Sequence, residues 1–168
     1  MVETYIDYPY VLHRIAKDMA VDRIKGVHKY YKGKKYYHGD NVPKVNIQGV
    51  LAELIAFHYY IYNDKEFTAP SMYGLEPVVA ADLTVEGCKI DVKYIPHYAK
   101  YLMVNYDAHH NPQKEVDAYL FVQPIKRLAL GMAKAKLWYA THNEVHNWEV
   151  QKQTLTKVLC LSLKPTQN

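Results

Sequence analysis

The longest apolar stretch of the chain, residues 46–62, is hydrophobic almost all round, which predicts a largely buried helix. Asn46 fits its N-cap, and Asn63 and Asp64 fit its end. The period then changes. Residues 78–95 are rich in β-branched side chains and break at Glu86-Gly87, the pattern of two strands joined by a hairpin. A two-residue loop pairs Val85 with Cys88 and sets Asp82 opposite Asp91. A three-residue loop with Gly87 in the left-handed region shifts that pairing by one, and Glu86 is a poor first residue for the two-residue type I′ turn. Residues 96–115 read as loop, 116–123 as a third strand, 124–135 as a short helix weakened by Gly131, and 136–141 as a fourth strand. Residues 148–153 and 155–163 read as further strands. Near the start, residues 10–25 form a helical pattern with Val11, Ile15, Met19 and Val27 along one side, a helix that covers the core. The expectation is an α/β fold with a mixed central sheet flanked by helices.

Charged positions inside these elements change the picture. With the two-residue loop, Asp82 and Asp91 lie across from each other, about 5 Å apart at Cβ. Lys93, two residues on, projects from the same face as Asp91. Adjacent carboxylates raise one another's pKa unless a cation lies between them. Hard oxygen ligands at this spacing suit Mg²⁺, with Mn²⁺ able to substitute. Glu53 is the only acid of the apolar helix, and a buried carboxylate costs several kcal/mol unless it finds a cation or another partner. Gly49, one turn earlier on the same face, leaves room for a close approach. The plain alternatives are a solvated amphipathic hairpin and a Glu53 paired with a Lys or Arg.

Gly49-x-x-x-Glu53 on a helix, Asp82 on a first strand and Asp91-Val92-Lys93 on a second resemble the signature of the PD-(D/E)XK nuclease superfamily, the restriction-endonuclease-like group. Ala81 stands where the family name has Pro, and the spacing from Asp82 to Asp91 is short for the family. The resemblance covers residues 45–143 and implies an αβββαβ core, within which the strands and the helix at 124–135 fall in the family's order. It further implies a Mg²⁺-dependent endonuclease acting on DNA. Asp82, Asp91 and the backbone carbonyl of Val92 would hold the metal. Glu53 would bind through water or complete a second site, and Lys93 would orient the attacking water or stabilise charge on phosphorus. Family analogy also implies a homodimer for cutting both strands.

At 168 residues the chain is expected to be a single domain, with the helix and loop of residues 8–44 before the core and strands 147–163 after it. Cys88 and Cys160 have neither metal-ligand spacing nor a disulfide framework and fit a reducing compartment. No basic n-region, signal peptide or membrane span is read, so a cytoplasmic location is expected, in a bacterial or phage-infected cell for example. The net charge of +4 is modest, but residues 23–38 contain no acid. They carry Arg23, Lys25, Lys29, Lys32, Lys34 and Lys35 interleaved with Tyr30, Tyr31, Tyr36 and Tyr37. Lysines neutralise phosphates and tyrosines stack on bases, so Lys29, Lys32, Lys34, Lys35, Tyr36 and Tyr37 are candidate nucleic-acid contacts. A solvated loop is the competing reading.

Other motifs fall away. His142-Asn143-Glu144-Val145-His146 lacks the adjacent His-Glu of a zincin helix. His97, His109 and His110 lie in the loop region, where they could offer a nucleophile-activating imidazole or a metal ligand, but lone loop histidines are ordinarily just polar. Neither a Walker loop nor a Gly-x-Ser-x-Gly elbow is present. A second function class stands beside the nuclease: a catalytically inactive nucleic-acid-binding or accessory subunit of the same fold.

Overall fold

Strand β1 (Val2–Pro9) opens the chain and leads into helix α1 (Leu12–Tyr30) and helix α2 (Val42–Tyr62). The computed structural model describes residues 1–30, 42–69, 81–153 and 156–163. The remaining strands and α-helices are β2 (Phe67–Thr68), β3 (Leu83–Val85), β4 (Cys88–Tyr94), β5 (Tyr101–Asn105), α3 (Tyr106–His109), β6 (Ala118–Arg127), β7 (Met132–Thr141), α4 (His142–His146), β8 (Glu149–Gln153) and β9 (Thr156–Ser162). They form a mixed α/β fold with two sheets. The larger runs β1-β7-β6-β4-β3-β2, and the smaller runs β5-β9-β8. Among these pairings only β4 and β6 run parallel.

Alternation along the strands separates two cores. Ile90 and Val92 of β4, Ala118, Leu120 and Val122 of β6, and Ala135 and Leu137 of β7 pack with Val50, Ile55 and Ala56 of α2. Tyr119, Phe121, Trp138 and Ala140 point the other way and pack with Leu102 and Val104 of β5, Val145 of α4 and Leu159 of β9. The long helices α1 and α2 therefore cover one face of the large sheet, and the small sheet, with the short helices α3 and α4, covers the other. The expected flanking by helices is carried mainly by one face.

The helix expected at 124–135 does not form. Strand β6 runs on to Arg127 and returns as β7 through a tight turn, with Leu130 at φ 56° and Gly131 at φ 72°. Pro124 is accommodated because the β6–β7 register shifts between Pro124 and Lys126, a bulge where a missing N–H is tolerated. The αβββαβ order expected for the core is thus broken at its second helix. Strand β1, absent from the expected elements, pairs antiparallel with β7 and buries Ile6 and Tyr8.

Helix boundaries also differ from expectation. Helix α2 begins at Val42 rather than after Asn46, with Pro43 in its first turn, where a missing N–H costs nothing. It ends as expected: Asp64 takes φ 51°, and the Asn63 side chain donates to the Tyr59 carbonyl at 2.7 Å. Helix α1 starts at Leu12 and buries Ala16 and Ala20, with Val11 and Ile15 exposed. Its inner stripe lies one position round from the expected one, because two alanines let α1 approach α2 closely.

Candidate functional site

The hairpin forms with the two-residue loop. Val85 pairs with Cys88 and Leu83 with Ile90, and Glu86 (φ 50°) and Gly87 (φ 84°) both take the left-handed region that a type I′ turn requires. The ladder continues one residue further, where the Asp82 N–H donates to the Ile90 carbonyl at 3.0 Å. Asp82 therefore falls opposite Asp91, and the two carboxyls feel each other's charge. The Val92 N–H, between Asp91 and Lys93, donates to Asp82 Oδ2 at 2.7 Å. Lys93 Nζ lies 2.5 Å from Asp91 Oδ2. Lys93 keeps 36% of its side-chain surface open and Asp91 23%, so a ligand can reach both.

Glu53 is buried in α2 and takes a fork from α1: Arg23 Nη1 donates to Oε1 at 2.8 Å and Nη2 to Oε2 at 3.1 Å. A bidentate guanidinium is among the strongest neutralising partners a buried carboxylate can find within a protein. Sequence reasoning gives Arg23 no role beyond opening the basic run. The buried acid on an apolar helix is the signal that some cation has to be there.

The electrostatics tie the four residues together. Burial raises the Asp82 carboxyl first, the charges of Asp91 and Glu53 raise it further, Lys93 opposes, and the result is a group pushed up to about 8. Burial likewise lifts Glu53 above the carboxylate range, with Arg23 and Lys93 pulling down and Asp91 pushing up. Burial works against the Lys93 ammonium, but Asp91, Asp82 and Glu53 outweigh it and hold the pKa above the usual lysine value.

No family model, curated protein or solved structure gives a match to this chain.

The donor set itself suits a hard divalent cation. Two facing carboxyls, with Asp82 holding its proton tightly, are the kind of donor pair found in Mg²⁺ sites with one or two carboxylates. At Gly49 an added Cβ would meet nothing within 4 Å, so the space one turn before Glu53 is open. Of the candidate nucleic-acid contacts, Lys29 stands in α1, while Lys32, Lys34, Lys35, Tyr36 and Tyr37 lie outside the described residues. Among the described residues no helix is long and apolar enough to cross a membrane.

A second cluster goes beyond what the sequence suggests. His109, at the end of α3, stacks on His142, at the start of α4, with ring centroids 3.9 Å apart. His110 and His146 flank the pair. Burial and the three neighbouring imidazoles push His109 down to about 4. Its Nδ1 bonds the Tyr119 hydroxyl at 2.9 Å, and Tyr119 pairs across β4–β6 with Asp91. Along the chain His109 and His110 look like ordinary loop residues, and His142 and His146 like a failed zincin motif. The Thr141–Glu144 capping box that starts α4 is the available signal, since it puts His142 and His146 on one helical face. His97 is exposed and packs edge-on against Tyr98.

Proposed function

We propose that the protein is a metal-dependent nuclease that hydrolyses DNA phosphodiester bonds, with Asp82, Asp91, Lys93 and Glu53 as its working residues. The reading rests chiefly on one observation: Asp82 falls opposite Asp91 across a hairpin, with Lys93 Nζ 2.5 Å from Asp91 Oδ2. Asp82 and Asp91, helped by the Val92 carbonyl, would hold Mg²⁺ or Mn²⁺. A bound ion supplies charge neutralisation at the scissile phosphate and acidifies a water. Lys93 donates hydrogen bonds toward that water or the non-bridging oxygens, where negative charge grows during attack. The Val92 N–H fixes Asp82 in place, so little reorganisation is needed when the proton leaves. Glu53, forked by Arg23, supplies its charge to the cluster from α2. The lysines and tyrosines of residues 23–38 would grip the phosphate backbone, and a homodimer would place two such sites on opposite strands.

The inactive nucleic-acid-binding or accessory subunit keeps one specific support. The Arg23–Glu53 and Lys93–Asp91 pairs already neutralise two of the three acids internally. Supercoiled, linear, single-stranded and branched DNA incubated with Mg²⁺ and with EDTA separates the two. Cleavage that requires Mg²⁺ and disappears in Asp91→Ala supports the nuclease. Tight binding with no cleavage of any substrate supports the accessory subunit.

A further inference from the structure

We infer that His109, His110 and His146 form a second metal site, one that takes a borderline-soft divalent ion such as Zn²⁺ rather than Mg²⁺. One ligand nitrogen from each lies within 4.8 Å of the others. A tetrahedral Zn²⁺ with nitrogen ligands at about 2.0–2.1 Å needs them roughly 3.4 Å apart. Small rotations close that gap, and the exposed positions of His110 and His146 leave room for them.

The surroundings prepare the ligands. His109 is 3% exposed, and its Nε2 is buried with no hydrogen-bond partner. An orphaned buried imidazole nitrogen costs about 1–3 kcal/mol, so it calls for an occupant. Its other nitrogen is held by Tyr119, and with the proton on Nδ1, donated to that hydroxyl, Nε2 presents a lone pair. For His110 the assignment is forced. Nδ1 lies 2.9 Å from the Tyr106 carbonyl, which only accepts, so Nδ1 carries the proton and Nε2 is the ligand atom. Both imidazoles thus have the outer partner that ligating histidines ordinarily have. His146 is carried in from α4 by the capped turn that begins at Thr141. His142 stacks on His109 and braces it. Three imidazoles with a fourth position open match zinc chemistry and contain no hard oxygen for Mg²⁺.

The test uses the full chain, stripped of metal and titrated with Zn²⁺ against a chromophoric chelator, with Co²⁺ as a visible-absorbing stand-in. One equivalent should bind, with Co²⁺ giving the intense absorption of tetrahedral coordination. His110→Ala and His146→Ala, both at exposed positions where folding is not at stake, should each weaken Zn²⁺ by at least about tenfold. Tyr119→Phe, which leaves all three ligands, should weaken it by roughly 10–100-fold, as loss of an outer partner does. Asp91→Ala should leave Zn²⁺ affinity unchanged. Absence of stoichiometric binding, indifference to both histidine variants, or loss of the site in Asp91→Ala would overturn the assignment.

Discussion

Asp82→Asn is the most revealing single change. The substitution keeps an oxygen to accept the Val92 N–H and removes only the ionisable proton site. The folded protein holds that proton up to about 8, against an ordinary 3.8. Between those values the folded state binds more protons than the unfolded one, so stability falls as pH rises. At about 1.4 kcal/mol per pH unit, roughly 4 kcal/mol of that penalty is in force at pH 7. Asp82 is only partly buried and retains some solvent access, so about half of this, ~2 kcal/mol, should be recovered by Asn. For a chain of this size that raises Tm by about 4–8 °C. The gain should shrink toward zero as pH falls to 4. Mn²⁺ at a hundredfold over its Kd should stabilise the wild type by about 2.7 kcal/mol at pH 7 and leave Asp82→Asn unmoved. Thermal melts across pH 4–8, with and without Mn²⁺, read both effects. A variant less stable than wild type at pH 8, or one whose gain does not vary with pH, would refute the raised Asp82 pKa.

Asp91→Ala and Lys93→Ala should abolish Mg²⁺-dependent cleavage while DNA affinity, set by phosphate contacts elsewhere, changes little; undiminished cleavage by the lysine variant rules Lys93 out of the chemistry. Arg23→Met leaves Glu53 buried without its fork and should cost about 3 kcal/mol, with the loss growing as pH rises above the range where Glu53 takes a proton; urea midpoints at pH 5 and pH 8 measure it. Gly49→Ala adds a methyl to open space within a helix and should stabilise by about 0.5–1 kcal/mol, yet lower nuclease activity if the substrate approaches there. Replacing Lys29, Lys32, Lys34 and Lys35 together with Ala should weaken binding to all DNA sequences alike and flatten the log affinity–log salt slope by up to about 0.9 for each phosphate no longer neutralised. An unchanged slope would make the stretch ordinary solvated surface.

The hairpin is legible in the sequence because its information is local. β-Branched alternation and Glu86-Gly87 mark the hairpin and offer Asp82 against Asp91 as one of two registers; the positive φ of Glu86 selects it. Helix α2 is legible for the same reason, though Val42 and Pro43 extend it upstream. The second helix of the expected core fails because Leu128, Ala129 and Leu130 favour a helix only by local propensity. Pairing of β6 with β7 overrides that preference and leaves Leu130 at an exposed turn. Strand β1 alternates Thr4, Ile6 and Tyr8 with Glu3, Tyr5 and Asp7, a local strand signal that the expected elements leave out; only its partner β7 is distant in sequence. The abundance of tyrosine, 17 in all, finds part of its explanation in the core. Tyr8 and Tyr119 are buried rings whose hydroxyls bond His13 and His109. The histidine cluster is invisible along the chain because α3 and α4 meet only through the tertiary fold.

The small sheet has a consequence for how this molecule is made. Strand β5 leaves the large sheet between β4 and β6 and pairs with β9, which follows every other strand in the chain. While the polypeptide emerges from a ribosome, the helical face can consolidate early. Trp148 and Val145 already lie in the core of Phe121 and Trp138, but β5 gains its strand partner only from β9. Until β9 is made, β5 offers an unpaired edge, an invitation to aggregation and to chaperone capture. Closure of this face therefore hangs on one strand far from β5 in sequence.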